Sequence, residues 1–215
     1  MALYIPPSFA AKDRVAIARL IHDYPFATLV TPSAAEPWVS HIPLLMTEAD
    51  EPDGTLIGHF ARANPHWQHA NDAQSIAIFH GPHAYVSPSW YGEPTQAVPT
   101  WNFTAVHAHG PLEIFDDPAD TRDVLDALIE RFEAVRPAPW KFAMSDHQRD
   151  ALVGAIVAFK MPIRRLDAKF KLSQNRMRDD RVRVMAALLA EGYAEATETA
   201  GWMQTYADVG DERTR

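Results

Sequence analysis

The sequence predicts an α+β protein built around an antiparallel sheet or barrel, and two observations predict it. Short runs of β-branched and aromatic residues, separated by Pro, Gly, Asp and Asn, follow one another early in the chain. Helical stripes of apolar residues precede and follow these runs, without the regular strand–helix alternation of a doubly wound fold. The 215 residues, 47% of them hydrophobic, are enough for one large domain with a buried core.

The strands are concentrated in the first half of the chain. From Asp13, apolar residues at helical spacing predict a short helix that ends by Pro25. Strand patterns then occupy residues 26–31, 37–46, 54–60, 74–81 and 83–87, and the last of these leads into a long loop rich in Pro, Gly and aromatic residues. A further strand is predicted over residues 98–115.

Helical patterns dominate the second half. One helix is predicted from near Pro118 and a second over residues 145–152. Strand character returns up to Met161, and a helix follows over residues 180–191. Since no sustained pattern continues beyond Thr197, we expect a single domain over residues 1–195 and a C-terminal tail over residues 196–215.

The composition and the absence of certain motifs argue against several classes of function. The chain has no cysteine, which excludes disulfides, iron–sulfur clusters and a thiol nucleophile. A net charge of −8 argues against a non-specific nucleic-acid coat. No Gly-x-Ser-x-Gly, dinucleotide or P-loop fingerprint occurs. Because no stretch is long enough to cross a bilayer and no secretory signal pattern is present, we expect a cytoplasmic protein without a membrane segment.

The stretch VPTWNFTAVHAHG, residues 98–110, places two aromatic residues and two histidines on one face of a strand, because alternate side chains share a face. His107, His109 and Glu113 have a His-x-His-x3-Glu spacing that could hold Fe(II) or another divalent metal. Pro111 weakens this metal hypothesis, since it removes a backbone donor and bends the strand before Glu113. Simple packing and a surface for a non-metal ligand remain as alternatives.

Two further stretches could contact an anionic ligand. Asn64 is a candidate N-cap with Pro65 at the first helical position, and Arg62 adds a positive charge beside that helix start. The stretch KLSQNR, residues 171–176, combines two cations with three hydrogen-bonding side chains. The alternatives are an ordinary strand-to-helix turn in the first case and a solvated connection in the second.

Six motifs occur in order between residue 1 and about residue 190: MALYIPPSFA, SHIPLL (40–45), GHFARANPHW (58–67), GPHAYVSPSWY (81–91), VPTWNFTAVHAHG (98–110) and KFKLSQNR (169–176). Together they resemble those of the PaiB-type FMN-binding negative transcriptional regulators. The resemblance implies an antiparallel split β-barrel of the pyridoxamine-phosphate-oxidase-like kind, with N-terminal, inserted and C-terminal helices. It also implies a homodimer that holds FMN in clefts between its subunits.

The same resemblance implies the cofactor-binding residues. The strand at residues 40–45 would offer its backbone to the isoalloxazine edge, the end of the next strand would meet the phosphate and ribityl chain, and Trp101 with its neighbours would wall the flavin site or the dimer interface. The implied contacts are Ser40, His41, Ile42, Pro43, His59, Ala61, Arg62, Asn64, Trp101, Asn102, Lys171, Ser173 and Gln174.

The resemblance leaves the activity open between a flavin-dependent sensor and a flavin-dependent reductase, and it assigns no catalytic side chain. His41, His59 and His107 are the groups most able to donate protons near a flavin. A DNA-binding repressor with a vestigial flavin site is the alternative from another class, although the basic residues between Arg164 and Arg183 are dispersed and no basic recognition helix is recognisable.

Overall fold

The computed structural model describes residues 3–47, 53–115, 117–141 and 145–207. In this part of the chain the strands are β1 (Phe26–Thr31), β2 (Trp38–Pro43), β3 (Leu45–Thr47), β4 (Thr55–Ala61), β5 (Gln74–Val86), β6 (Thr100–Pro111), β7 (Glu113–Ile114), β8 (Ile156–Pro162) and β9 (Arg165–Lys171). The α-helices are α1 (Arg14–Asp23), α2 (Pro118–Glu133), α3 (Asp146–Gly154), α4 (Arg178–Glu191) and α5 (Ala194–Tyr206). None of these helices combines the length and the apolar character needed to cross a membrane.

The strands form two sheets, with the orders β2-β1-β5-β6-β9 and β3-β4-β8-β7. The pairs β1–β2, β3–β4, β4–β8 and β7–β8 are antiparallel. In the first pair Leu29 lies opposite Ser40, and in the long β4–β8 pair Gly58 lies opposite Phe159. The predicted α+β architecture with antiparallel sheets is therefore confirmed.

The predicted strand over residues 37–46 is two strands in different sheets. It divides at Leu44, which is 1% exposed and whose backbone N–H donates to Pro25 O at 2.9 Å. Pro43 ends β2 because its ring nitrogen carries no hydrogen for a further ladder bond.

The strands predicted over residues 74–81 and 83–87 are a single strand, β5. The Gly81–Pro82 pair suggested a break, but Gly81 serves close packing instead: an added Cβ there would lie 2.2 Å from Thr104 Oγ1. Conversely, the strand predicted over residues 98–115 is interrupted at Leu112, which lies between β6 and β7. Leu112 forms an isolated β-bridge with Asn71.

Two late elements were not predicted. In β9, buried Ala168 and Phe170 alternate with charged residues. The strand is half-buried, and its low content of apolar residues is the reason it was not predicted. Helix α5 buries Ala196, Ala200 and Met203, and small residues at such spacing give only a weak hydrophobic stripe. Residues 196–206 of the expected tail are therefore helical, and residues 208–215 lie outside the described residues.

The chain divides into two compact units. The central unit comprises residues 21–79 and 107–166, and the terminal unit comprises residues 1–20, 80–106 and 167–215. Phe60, Phe79 and Phe159 are fully buried in the central unit, whereas Phe170 packs edge-on against Trp202 in the terminal unit, with 5.3 Å between ring centroids. A single domain over residues 1–195 stays a prediction.

Candidate functional site

A chain of buried polar side chains in the central unit joins β1, β2, β5 and the short 3-10 helix Pro65–His69. Asn64 Nδ2 donates to Ser40 Oγ at 3.0 Å, and Ser40 Oγ lies 2.8 Å from His66 Nδ1. The other ring nitrogen, His66 Nε2, lies 2.8 Å from Thr31 Oγ1, which lies 2.7 Å from Ser75 Oγ. His66 is 1% exposed, so water does not replace these bonds.

The two ends of this polar chain fix the direction of its hydrogen bonds. Asn64 Oδ1 accepts from His66 N at 3.0 Å, which orients the amide so that Nδ2 is the group that donates to Ser40. At the far end Ser75 Oγ donates to Ala73 O at 3.2 Å, and a carbonyl can only accept. Ser40 then donates to His66 Nδ1, and a neutral His66 donates from Nε2 to Thr31.

The pKa of His66 is lowered to about 4, first by burial and second by the charge of His69. The hydrogen-bond directions are consistent with this shift, because protonating Nδ1 would leave the Ser40 hydroxyl hydrogen without its acceptor. Below pH 6.5 unfolded chains take up a proton at this histidine, whereas the folded protein does not until about pH 4. The contribution of His66 to stability is therefore complete above pH 6.5 and is lost as the pH falls.

Between pH 7 and pH 5, we expect the free energy of unfolding of the native protein to fall by about 2 kcal/mol more than that of the His66→Gln variant. Urea unfolding of both proteins at the two pH values measures this difference. His59 and His80, whose pKa values burial also lowers, are present in both proteins and do not affect it. His147→Gln, at an exposed position on α3, is the matched control and should keep the native pH dependence. An identical pH dependence in native protein and His66→Gln would contradict the assignment.

The predicted flavin-contacting residues on β2 occupy the end of a sheet. Strand β2 is the terminal strand of its five-stranded sheet, with Ser40, His41, Ile42 and Pro43 paired to β1 on one side. Its outer edge has no strand neighbour among the described residues, so backbone groups along that edge are not used in a ladder. The Ser40 side chain is buried within the polar chain, which leaves its backbone as the part a ligand could use.

The predicted contacts at the end of β4 are held by the α3–β8 turn. Arg62 N donates to Ala155 O at 2.8 Å, and the Arg62 guanidinium donates from Nε to Gly154 O at 2.5 Å and from Nη2 to Ile156 O at 2.8 Å. Ala61 pairs with Ile156 in the β4–β8 ladder. Asn64 caps the 3-10 helix as the sequence predicts. Two of the three guanidinium nitrogens of Arg62 thus have a structural use that the sequence did not indicate.

His59 carries a polar atom without a partner. Its Nδ1 is buried and makes no hydrogen bond among the described residues, and burial lowers its pKa. Its neighbour Gly58 lies close to the end of β2, since an added Cβ there would be 3.2 Å from Pro43 O. The structure therefore brings Gly58 near Pro43 and joins Asn64 to Ser40, whereas the His59 side chain lies on the opposite face of β4 from Gly58.

The remaining predicted contacts form a second group in the terminal unit. Lys171 Nζ donates to Thr100 Oγ1 at 2.6 Å and to Trp101 O at 2.5 Å, and burial lowers its pKa, helped by Lys169 and Arg176.

Asn102 and Ser173 are buried and exchange two hydrogen bonds, of 3.0 and 3.1 Å. Gln174 closes the turn, accepting from Leu172 N at 2.7 Å and donating to Phe170 O at 2.6 Å. Ser173 has a φ of 68°, a left-handed conformation that is uncommon outside glycine. The KLSQNR turn is thus held by side-chain hydrogen bonds, from Ser173 to Asn102 on β6 and from Gln174 to the main chain of the turn.

Trp101 remains available for contact with a flat ligand or a partner. It is 53% exposed, and Tyr85 stands edge-on to it with 6.0 Å between ring centroids. The alternation predicted for β6 is confirmed, because Asn102 and Thr104 are buried whereas Trp101 is exposed.

The geometry gives the metal hypothesis no support. Glu113 pairs with Lys160 at 3.0 Å, and Arg165 Nη2 lies 3.1 Å from His109 Nε2. Within the described part of the chain, no three His, Asp or Glu side chains could share a metal ion.

Sequence reasoning missed His66 as a structural centre of the site. It lies within the GHFARANPHW motif, two residues after the predicted N-cap, and that position was the available signal. Its partners Thr31 and Ser75 are distant in sequence, and no local pattern connects them.

Comparison with known proteins links the chain to flavin-related sequences. A family model described as "Putative FMN-binding domain" matches residues 3–165. The chain is 32% identical over 205 residues to "Protease synthase and sporulation protein PAI 2" of Bacillus subtilis, with 94% of this chain and 97% of that protein covered.

Solved structures share the fold at low sequence identity. A FAD and heme binding protein from Mycobacterium smegmatis has a TM-score of 0.59 at 17% identity, covering 86% of this chain and 80% of that one. A flavocytochrome from Azotobacter vinelandii has a TM-score of 0.55 at 15% identity, covering 75% and 69%. The predicted fold, an antiparallel split β-barrel with flanking helices, is confirmed.

Proposed function

The chain belongs to the FMN-binding domain family, and from this premise we propose that it is a flavoprotein that holds FMN for electron transfer, as a flavin-dependent sensor or reductase. The match of the family model over residues 3–165 carries the proposal. Bound FMN supplies hydride or electron transfer at its isoalloxazine ring. The chain's own residues then have to bind the cofactor, orient it and keep water from it.

The central unit fits one requirement of a flavin. The isoalloxazine edge needs backbone donors and acceptors in a row. The outer edge of β2, at residues 40–43, has no neighbouring strand among the described residues, so its backbone groups form such a row. The polar chain through His66 holds Ser40 and Asn64 in place, so this edge is preorganised. His59 Nδ1, which is buried and lacks a hydrogen-bond partner among the described residues, supports a polar ligand group at His59 itself.

We propose that His59 and His41 are the groups beside the cofactor that handle protons. Burial lowers the pKa of His59, so that it is neutral at pH 7 and can accept a proton or donate from its N–H. His41 is exposed on β2, and its Nδ1 lies 3.1 Å from Thr28 Oγ1, which fixes the ring orientation. We assign no such role to His107. Its ring centroid lies 6.4 Å from that of His109, and the His109 ring in turn contacts Arg165.

The proposed assembly is a homodimer. The exposed Trp101 with Tyr85 beside it supports an interface, because adjacent exposed aromatic side chains on a sheet favour burial against a partner. Sedimentation velocity of the native chain and Trp101→Ser tests this, with a lower fraction of dimer expected for the variant.

The DNA-binding alternative is less well supported. Several cations of the basic region are engaged within the terminal unit: Lys169 Nζ donates to Tyr4 O at 3.0 Å, Arg181 donates to Ala207 O, and the Arg176 guanidinium lies 4.6 Å from the Tyr91 ring centroid. Cations held in this way are less able to neutralise phosphates, which is the main source of affinity for DNA.

A visible absorption spectrum of the purified protein, before and after excess FMN and desalting, tests the function directly. We expect retained flavin bands, with the released cofactor identified as FMN by mass. We propose that Lys171 gives the cofactor a charge-assisted hydrogen bond, so Lys171→Ala should weaken FMN binding by about tenfold. Lys12→Ala, at an exposed position, is the matched control. Failure to retain FMN even after reconstitution would refute the proposed function.

A further inference from the structure

A cavity of about 360 Å³ lies within the central unit. Its walls come from helices α2 and α3, from strand β8 and from the turn that contains Arg62 and Trp67. Its volume is within the range of sites that take small organic ligands. None of the residues assigned to FMN by sequence, other than Arg62, lines it.

Part of the cavity lining is apolar. Trp67 and Phe115 line it together with Val153 and Val157, which are buried. Trp67 Nε1 donates to Arg62 O at 3.0 Å, so the indole plane is held by the backbone of the adjacent turn. A tryptophan ring held in this way favours a planar ligand, and a planar ligand loses less conformational freedom on binding than a flexible one.

The charges of the lining leave one net positive group. Arg122 and Asp150 both line the cavity and pair with each other at 2.5 Å, so their charges compensate. Arg62 is fixed by its bonds to Gly154 O and Ile156 O, while its Nη1 makes no hydrogen bond among the described residues. A preorganised guanidinium with one terminal nitrogen left over suits a single anionic group.

We propose that this cavity binds a small aromatic monocarboxylate, with the ring against Trp67 and Phe115 and the carboxylate at Nη1 of Arg62. The proposal is independent of FMN binding and assigns Arg62 to a second ligand, not to the FMN phosphate. A planar acid matches both the aromatic lining residues and the single uncompensated charge. A neutral aromatic compound of the same shape lacks the charged contact.

The test uses 2-naphthoate and its neutral analogue 2-naphthamide, titrated into the protein by isothermal titration calorimetry. We expect 2-naphthoate to bind about tenfold or more tightly than 2-naphthamide, and Arg62→Met to remove that difference. Arg136→Met is the matched control, since Arg136 pairs with Glu133 on α2 and does not line the cavity. Equal binding of the two ligands, or unchanged preference in Arg62→Met, would overturn the proposal.

A second measurement covers the case in which Arg62→Met does not fold. Among the six tryptophan indole N–H resonances of the native protein, the one lost in Trp67→Phe should be the resonance most shifted by 2-naphthoate. A shift confined to other tryptophans would place the ligand elsewhere. Addition of saturating FMN should leave the affinity for 2-naphthoate unchanged, and competition between the two would show that the cavity belongs to the flavin site. Failure to bind FMN alone would refute the proposed function and leave this site untouched.

Discussion

Gly110→Ala is expected to lower the free energy of unfolding by about 3 kcal/mol or more, a large fraction of the stability of a typical domain. Gly110 lies in β6, and an added Cβ would be 2.1 Å from Pro162 O and 3.1 Å from Pro162 C. The obstacle is backbone, which a rotamer change cannot remove. The backbone next to Pro162 is also fixed, since Ile163 N donates to Gly54 O at 3.0 Å and Arg164 N donates to His109 O at 2.8 Å.

Urea unfolding at pH 7 measures the effect, and Gly201→Ala is the matched control. Gly201 lies in helix α5 with no heavy atom within 4 Å of its hypothetical Cβ. Because alanine favours a helix interior over glycine, this substitution should stabilise the protein by about 1 kcal/mol. If Gly110→Ala unfolded at the same urea concentration as the native protein, the close approach of β6 to Pro162 would be incorrect.

Phe60→Ala is expected to destabilise the protein by about 3 to 5 kcal/mol, because it leaves a cavity in the core of the central unit. The Phe60 ring is fully buried and lies 4.8 Å from the Phe159 ring and 5.0 Å from the His66 ring, between centroids. The substitution removes part of the apolar surroundings that keep His66 neutral. We therefore also expect the pKa of His66 to rise toward its ordinary value as water enters.

Phe26→Ala is the control for this substitution, since Phe26 is 67% exposed in β1 of the same unit. It should cost less than about 1 kcal/mol, mainly through lost strand propensity. Chemical denaturation gives both free energies, and the pH dependence of unfolding reports on His66. Equal costs for the two phenylalanines would contradict the burial of Phe60, and an unchanged pH dependence in Phe60→Ala would contradict its role in keeping His66 dry.

Part of the candidate site was visible in the sequence. The cap at Asn64 and the alternation of β6 follow from short-range rules, in which a side chain reaches a backbone group two or three residues away or points to alternate faces. The KLSQNR stretch was identified as polar and cationic. That Ser173 bonds to Asn102 and Gln174 to the main chain depends on residues up to 71 positions apart or on a left-handed turn, which local patterns do not encode.

The strands with a regular hydrophobic period could be predicted from residue spacing, because a period of two in a half-buried strand is a local property. The fold class follows from the order of such elements, and the family follows from six motifs that occur in order along the chain. The role of Arg62, which anchors the α3–β8 turn and lines a cavity, is visible only in the folded protein, since its partners Gly154 and Ile156 are more than 90 positions away. The same holds for His66, which is neutral within a directed chain of hydrogen bonds. Burial and long-range hydrogen bonding arise from the packing of whole elements, and for that reason they cannot be found from residue spacing alone.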